Sequence, residues 1–259
     1  MNKEVKISVI TVTYNSEAFL EETILSVINQ KYKNIEYIII DGGSKDNTLN
    51  IIKKYEHKLT YWSSEPDESM YDAINKGLRF VSGDLCICLN SDDVLFNDNV
   101  FSIVVEKYLQ TAGKYGAYFG DVVIKRGDKH RKIRLFDIDF DILLSSKHCT
   151  FLPQPATFII REAIAKVGLF DKQYRFASDY DYLLRLLLQY KVMHIKSCFT
   201  VFRAHEESIT STQSNKMNAE RLHIIENNRK NISNSLYFKV LGGLYWIKYI
   251  FCNKPNRYV

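Results

Sequence analysis

Two adjacent carboxylates, Asp92 and Asp93, follow an apolar run that ends at Leu89. The polar stretch is Asn-Ser-Asp-Asp, and apolar residues resume directly after it. Hard divalent cations such as Mg²⁺ and Mn²⁺ prefer oxygen ligands, and they commonly combine one or two carboxylates with substrate phosphates. Aspartate is also favoured at helix N-caps and in first turns. The pair therefore indicates either a cation site for an anionic substrate or the start of a helix.

Two earlier loops carry the same kinds of side chain. Residues 13–17 are Thr-Tyr-Asn-Ser-Glu, and residues 41–46 are Asp-Gly-Gly-Ser-Lys-Asp. Asp41 could accept hydrogen bonds from a nucleotide base or a ribose hydroxyl, but these residue types are equally common in ordinary turns. Neither loop has the glycine spacing of a dinucleotide site or a P-loop. Each loop alone leaves both interpretations open.

A third group of polar residues lies on a predicted helix. Asp72 and Lys76 are four residues apart, a spacing that favours a surface ion pair. Asp72 and Asn75 also share a face that could look into a cleft, where Lys76 could contact a phosphate. The spacing therefore permits a structural or a binding role.

Strands and helices alternate along the first hundred residues. Ser16 is a predicted N-cap. We predict strands over 7–12, 35–40, 59–62 and 85–89, with helices over 17–29, 46–55 and 69–81. This alternation predicts a parallel sheet with right-handed crossovers, in which ligands bind beyond the carboxyl ends of the strands. The polar loops 13–17, 41–46 and 90–93 leave those ends, so we expect them to meet on one rim.

The second half has a different pattern. We predict strands over 117–124, 131–136 and 192–203, a Gly-Asp turn at 127–128, and helices over 161–167, 179–190 and 216–230. The helix over 179–190 has Asp179 and Asp181 in its first turn. The polar segment from 211 marks a boundary before a basic, aromatic tail.

Composition bounds the class of protein. The chain has 259 residues, 46% of them hydrophobic, which suffices for one large core or a domain with an appendage. Its net charge of +5 suits an anionic small molecule or membrane surface and is too diffuse to predict nucleic-acid binding. The five cysteines have no zinc or disulfide spacing, which predicts reduced thiols in a cytoplasmic protein. We expect Cys86 and Cys88 to point to opposite faces of a strand, and the N-terminus to contain no signal peptide.

Taken in order, these segments resemble the glycosyltransferase family 2 enzymes, especially bacterial capsule, exopolysaccharide and O-antigen transferases. The resemblance covers about residues 5–210. Its motifs are Val-Ile-Thr-Val-Thr-Tyr-Asn-Ser-Glu at 9–17, Asp-Gly-Gly-Ser-Lys-Asp-Asn-Thr at 41–48, Glu-Pro-Asp at 65–67, Tyr-Asp-Ala-Ile-Asn-Lys-Gly at 71–77, and Gly83-Asp84 to Asp93.

The resemblance implies an α/β protein with the GT-A fold, a Rossmann-like, mostly parallel central sheet flanked by helices. It also implies a transferase domain over 1–210. The nucleotide-sugar half would span about 1–100 and the acceptor half about 101–210, before a C-terminal helical, aromatic and basic extension over 211–259.

Donor-binding roles follow from the same resemblance. The residues implied to hold the nucleotide sugar are Val12, Tyr14, Glu17, Asp41, Asp72, Asn75, Lys76, Asn90, Ser91 and Asp92. Tyr14 would pack on the base. Asn90 stands where family members often have an acid, so we expect Asp92 and Asp93 to hold Mn²⁺ or Mg²⁺. His205 would lie near the metal or the diphosphate.

The acceptor side is implied by Ser178-Asp179, which resembles the Glu-Asp motif of the family with a serine in place of the glutamate. In inverting members that aspartate is the general base, so the resemblance gives this role to Asp179. Without the resemblance, Asp179 could simply be an acidic residue that stabilises the N-terminus of the helix. Asp181 is a competing candidate that could instead pair with Arg185. Gln154, together with His148, is a weaker acceptor-site candidate.

These expectations predict an inverting, metal-dependent glycosyltransferase. It would move a sugar from a nucleotide diphosphate, UDP above all, to a hydroxyl of a growing surface glycan, with a lipid-linked acceptor as one form. The alternatives are a catalytically idle nucleotide-sugar or glycan-binding module, and a nucleotidyltransferase. The aromatic, basic tail would contact the inner face of the cell membrane, pack on the domain or form an oligomer contact.

Overall fold

The computed structural model describes residues 4–145, 153–205, 208 and 212–229. Its first half alternates strands and helices as expected. The strands are β1 (Ile7–Thr13), β2 (Ile35–Asp41), β3 (Tyr61–Ser64), β4 (Leu85–Cys88) and the two-residue β5 (Val94–Leu95). The helices are α1 (Leu20–Ile28), α2 (Thr48–Tyr55), α3 (Met70–Leu78) and α4 (Val100–Gln110), and a 3₁₀ turn covers Glu56–Lys58.

The second half mixes longer strands with shorter helices. Its strands are β6 (Ala117–Arg126), β7 (Lys129–Ile133), β8 (Thr157–Ile160) and β9 (Val192–Arg203). Its helices are α5 (Phe140–Ser145), α6 (Arg161–Val167), α7 (Ser178–Leu187) and α8 (Ser214–Arg229), with a 3₁₀ turn over Gln154–Ala156. α8 lies within the predicted C-terminal extension.

The described strands form one sheet in the order β3-β2-β1-β4-β8-β6-β9-β5, and β7 pairs with β6. The β1 to β4 strands are parallel to one another, as are β6 and β9, whereas β8 is antiparallel to both β4 and β6. Most paired residues therefore lie in parallel ladders, and the predicted α/β class with a mostly parallel sheet and flanking helices is confirmed.

The central strands are buried because helices cover the sheet. Every residue of β1 is buried, and α1 and α3 place their apolar faces inward. At Gly77 a Cβ atom would lie 2.6 Å from Ile10 Cγ2, so only glycine lets α3 pack this closely on β1. Ser69 begins α3 by accepting a hydrogen bond from the Asp72 backbone N–H. This close packing fixes the first turn of α3 beside the carboxyl end of the sheet.

Two local predictions are wrong. Phe19, not Ser16, stands at the N-cap of α1, and its side chain forms no capping hydrogen bond. Ser16 Oγ does not cap the helix because it bonds to the Tyr14 carbonyl and to Ser91. Cys86 and Cys88 lie on the same face of β4, since side chains two residues apart in a strand point the same way. Their thiols are hydrogen-bonded and buried.

Four elements were absent from the sequence prediction: α4, α5, β5 and β8. β5 and β8 are too short to show a period of their own. No helix of the described residues is long and apolar enough to cross a membrane. Cys149, Cys252, His148 and the aromatic part of the tail lie outside those residues.

Candidate active site

The three polar loops meet at the carboxyl edge of β1, β2 and β4. Ser16 Oγ lies 2.8 Å from Ser91 Oγ, which joins the first loop to the third. The Asn15 backbone N–H donates to Ser44 Oγ at 2.8 Å, which joins the first to the second. Parallel strands bring their carboxyl ends together, so loops that lie far apart in sequence form one rim.

Asp41 stabilises the second loop from within. Its carboxylate is fully buried and accepts hydrogen bonds from the Gly43 and Ser44 backbone N–H groups at 3.1 and 3.0 Å. The hydroxyl of Ser44 also donates to it, and that of Ser64 donates at 2.6 Å. The structure therefore places Asp41 beneath the rim surface, where it shapes the loop that a nucleotide would contact.

Tyr14 is the aromatic side chain that the first loop presents to solvent, with 62% of its surface exposed. A Cβ atom at Gly42 would lie 3.4 Å from the Tyr14 ring and 3.0 Å from Asp67 Oδ2. Gly42 is thus closely bordered by an aromatic ring and a carboxylate. Val12 is buried below it, and Glu17 Oε2 accepts from the Asn47 backbone N–H at 2.8 Å.

Asp67 was quoted in the Glu-Pro-Asp motif but received no role from sequence. Its Oδ1 lies 2.5 Å from Lys76 Nζ, which also lies 3.0 Å from Glu65 Oε1. Burial raises the pKa of Asp67 even though Lys76 favours its charged form. Asp72 binds Lys172 Nζ at 3.0 Å. Lys76 and Asp72 therefore belong to one charged network beside Tyr14, which includes the ion pair predicted from their spacing.

Asn75 has a different position from the predicted one. Its Nδ2 donates to the Phe170 carbonyl at 2.8 Å, and its Oδ1 accepts from the Phe170 backbone N–H at 2.9 Å. The side chain is buried. Because the amide is occupied on both sides, Asn75 fastens α3 to the segment that leads into α7, and the structure does not bring it to the rim.

Asp92 and His205 are brought together although 113 residues separate them. His205 Nε2 lies 3.0 Å from Asp92 Oδ2, and the imidazole packs on the Phe19 ring at 4.8 Å. Both side chains are partly exposed. Since β9 ends at Arg203, it delivers His205 to the loop that follows β4. The fold thus brings Asp92, a predicted metal ligand, together with His205, which was expected near the metal or the diphosphate, at one partly exposed place.

Asp93 points inward. It is fully buried, its Oδ1 accepts from the Arg203 backbone N–H at 3.2 Å, and burial followed by the nearby Asp92 charge raises its pKa well above the usual range. Asn90 contacts this carboxylate and favours its charged form. Among the described residues, Asp93 Oδ2 and Asn90 Oδ1 are buried oxygens without a hydrogen-bond partner. Asp92 and His205 are thus the accessible side chains here, with Asp93 behind them.

Asp179 lies at the first turn of α7 and is half-buried. Its Oδ1 accepts from Tyr71 Oη at 3.0 Å and from the Tyr180 backbone N–H at 2.8 Å. Burial raises the pKa of Asp179, while these hydrogen bonds and the Arg221 charge oppose that rise. Tyr71 begins the Tyr-Asp-Ala-Ile-Asn-Lys-Gly motif, yet sequence reasoning assigned it no role. Its contact with Asp179 spans 108 residues, so spacing alone could not have shown it.

Asp181, the competing carboxylate, binds Arg185 Nε at 2.8 Å. Arg185 in turn donates to the Val167 and Leu169 carbonyls. This is the ion pair that the four-residue spacing indicated. Asp181 therefore secures α7 against the end of α6 and, unlike Asp179, does not line the cavity described next.

A small cavity connects Asp179 with the end of β4. Gln154, Asp179, Tyr182 and Cys88, the last residue of β4, all line it. Within the described part of the chain, Gln154 Nε2 and Tyr182 Oη are buried without a hydrogen-bond partner. Two polar groups able to bind an oxygen-bearing ligand or water thus lie beside the carboxylate, and the Asn90–Asp93 loop begins two residues after Cys88.

No group of three or more His, Cys, Asp or Glu side chains among the described residues is arranged to hold a metal ion. A cation at Asp92 and His205 would therefore need further ligands from substrate or water. Mg²⁺ and Mn²⁺ commonly bind in this way, through one or two protein groups and substrate phosphates.

The sequence model of the family named Glycosyl transferase family 2 matches residues 8–168 of this chain. The chain belongs to this family. It is a glycosyltransferase, and its predicted enzyme class is confirmed. An uncharacterized glycosyltransferase of Mycobacterium tuberculosis, Rv1514c, is 33% identical over 183 residues, which cover 70% of this glycosyltransferase and 69% of that protein. Another from Rickettsia typhi, RT0329, is 29% identical over 226 residues, covering 82% and 68%.

Solved glycosyltransferases share the fold. S. aureus TarS 1–349 in complex with UDP-GlcNAc aligns with a TM-score of 0.66 at 16% identity, covering 97% of this glycosyltransferase and 74% of that chain. The mannosyltransferase PcManGT from Pyrobaculum calidifontis, in complex with GDP-Man and Mn²⁺, aligns with a TM-score of 0.68 at 15% identity, covering 94% and 70%. These similarities confirm the GT-A fold.

Proposed function

We propose that this glycosyltransferase inverts the anomeric centre of a nucleotide-diphosphate sugar and transfers the sugar to an acceptor hydroxyl. One observation carries the proposal: Asp179, held by Tyr71, lines a cavity that reaches the end of β4, whose following loop holds Asp92 beside His205. The proposed base and the proposed anion-binding edge thus both lie near the end of β4, which supports attack and departure at one sugar.

Asp179 is the proposed general base. A carboxylate whose pKa is raised by burial is a stronger base than an exposed aspartate. It would take the proton of the acceptor hydroxyl as that oxygen forms a bond to the anomeric carbon. The bond from that carbon to the diphosphate oxygen breaks on the opposite face, and the electron pair leaves with the diphosphate. Tyr71 fixes Oδ1 and leaves Oδ2 for the acceptor.

The donor would lie along the rim. Tyr14 would pack against the base, Ser91 and Asn90 would contact the ribose side, and Asp92 with His205 would face the diphosphate. Asp92 and His205 would hold Mn²⁺ or Mg²⁺ together with substrate oxygens, and the unpaired buried oxygens of Asn90 and Asp93 behind them support a cation here. When bound, such an ion supplies positive charge that stabilises the departing diphosphate. UDP is the donor nucleotide we propose, supported by the complex of TarS with UDP-GlcNAc.

The acceptor we propose is a hydroxyl of a growing surface glycan carried on a lipid, which would place the enzyme on the inner face of the cell membrane. A glycosyltransferase of Mycobacterium bovis named for PGL/p-HBAD biosynthesis is 27% identical over 181 residues, covering 69% of this chain and 68% of that protein, and supports a biosynthetic transfer. Gln154, which is partly exposed and lines the cavity with Asp179, would contact the acceptor.

The decisive variant is Asp179→Asn, because it keeps the shape of the side chain and removes the base. We expect sugar transfer to fall about 10²- to 10⁴-fold, while UDP affinity measured by calorimetry stays at the wild-type value. A panel of nucleotide sugars with Mn²⁺ would first identify the donor. Asp181→Asn, on the same helix, tests the competing carboxylate: if Asp179 is the base, transfer by Asp181→Asn should fall far less than transfer by Asp179→Asn.

Full activity of Asp179→Asn would remove the base assignment. UDP binding without transfer to any acceptor or to water would instead favour the idle nucleotide-sugar-binding module.

A further inference from the structure

We propose that helix α8 is part of the catalytic machinery, and that Glu220 is a positioning residue which fixes Asp179 through the turn preceding it. This inference rests on the proposed role of Asp179 as the base. α8 lies beyond residue 168, where the family match ends, and no motif of the sequence pointed to it.

Glu220 binds three consecutive backbone amides. Its Oε1 accepts from the Arg175 N–H at 3.0 Å, and its Oε2 accepts from the Phe176 and Ala177 N–H groups at 2.7 and 2.9 Å. Successive N–H groups that converge on one point form an anion-binding concavity, and hydrogen bonds to a carboxylate are stronger than neutral ones. A side chain of α8 thus supplies the anion for the turn that leads into α7.

The same turn is held from its other side by Tyr71. Tyr71 Oη lies 3.4 Å from the Phe176 carbonyl and 3.0 Å from Asp179 Oδ1. Glu220 therefore binds the N–H groups of residues 175–177, whereas Tyr71 binds a carbonyl of that turn and the carboxylate that follows it. Asp179 lies two residues after Ala177, so its Cα position depends on both contacts.

Further α8 side chains pack along this segment. Lys216 Nζ lies 5.7 Å from the centre of the Phe176 ring, His223 packs against Tyr174, and the Arg221 guanidinium lies 5.1 Å from the centre of the Tyr180 ring. The contacts cover the turn and the first residues of α7. Through these contacts α8 packs against the segment that carries the proposed base.

Precise placement matters because proton transfer and attack require the acceptor oxygen within hydrogen-bond reach of the base. A displacement of about 1 Å at a catalytic group can lower the rate about 10²-fold. The segment 169–177 between α6 and α7 has no helix or strand of its own, so its geometry depends on such outside contacts. Loss of the Glu220 carboxylate should therefore lower kcat and leave the donor rim intact.

The test compares Glu220→Ala and Glu220→Gln with Glu226→Gln, which changes an exposed glutamate on the same helix. We expect Glu220→Ala to lower kcat about 10- to 100-fold, with UDP affinity and donor KM within about two-fold of wild type. Glu220→Gln should retain part of the activity, because an amide oxygen still accepts hydrogen bonds but without the charge. Glu226→Gln should match wild type.

A double variant separates positioning from general stability. If Glu220 acts through Asp179, adding Glu220→Ala to Asp179→Asn should slow the residual transfer no further. Equal slowing by Glu220→Ala in both backgrounds would overturn the proposal, as would a wild-type kcat of Glu220→Ala. Full activity of Asp179→Asn would instead defeat the proposed base itself, so the two failures are distinguishable. Unchanged UDP binding by Glu220→Ala and by Glu220→Gln shows that a loss of kcat in either variant does not arise from unfolding.

Discussion

The rim that holds Asp92 and the site that holds Asp179 obtain their geometry in different ways. Most of the rim comes from loops that directly follow β1, β2 and β4, so parallel strand pairing alone brings the loops together. Asp179 depends on side chains from two other helices, Tyr71 of α3 and Glu220 of α8. Sheet topology places the rim, whereas tertiary packing places Asp179.

The two sites also differ in exposure. Tyr14 is mostly exposed, and Asp92 and His205 are partly so, whereas Asp179 shares its cavity with the buried groups Cys88 and Tyr182. An open rim suits a charged donor that must enter and leave, because its groups remain hydrated. A secluded carboxylate suits a base, because burial raises its pKa. Rim variants should therefore change donor binding, and base-site variants should change turnover.

Asp92→Asn is the largest expected change at the rim. We expect transfer to fall about 10²- to 10³-fold, since a group that organises the stabilisation of the leaving diphosphate is removed. The Mn²⁺ concentration for half-maximal activity should rise, as measured by titrating transfer with the metal. Asp98→Asn, at an exposed ion pair with Lys31, is the control and should behave as wild type. An unchanged metal requirement in Asp92→Asn would exclude Asp92 as a ligand.

Tyr71→Phe should have a smaller effect, confined to turnover. It removes one hydrogen bond to Asp179, worth roughly 1.4 kcal/mol, and kcat should fall about 10-fold. That bond stabilises the charged carboxylate, so its loss raises the pKa of Asp179 further. A general base works only when deprotonated, so the acidic limb of the pH–rate profile should move to higher pH.

Tyr55→Phe is the matched control for Tyr71→Phe, because it removes a hydrogen bond to the exposed Glu21 on the surface. Its pH–rate profile should equal that of wild type. A limb that stays in place in Tyr71→Phe would contradict the contact between Tyr71 and the base.

Tyr14→Ala should give the smallest effect. Loss of an aromatic face costs about 0.5–1.5 kcal/mol, so UDP affinity should fall about 2- to 10-fold, with kcat and melting temperature unchanged. Calorimetry with UDP and with ribose 5-phosphate isolates the contribution of the nucleobase to affinity, because ribose 5-phosphate has no nucleobase. An equal loss of affinity for both ligands would show that Tyr14 does not contact the base.

The sequence predicted much of the rim. The alternation of β-branched runs and amphipathic segments located β1 to β4, and the rule for parallel sheets placed the three polar loops on one edge. What it could not show was the direction of each side chain. Asp41 and Asp93 point inward, and Asn75 binds Phe170, because short polar side chains satisfy nearby backbone groups when the chain folds over them.

By itself the sequence determined the strand–helix alternation, the rim loops and the family, because these depend on local periodicity and on ordered motifs. Only the tertiary structure decided that Tyr71 meets Asp179, that Glu220 binds the turn before it, and that Asp92 rather than Asp93 faces His205. Contacts between residues 43 to 113 positions apart depend on how helices pack on the sheet and which groups burial leaves unpaired, and no local pattern encodes either.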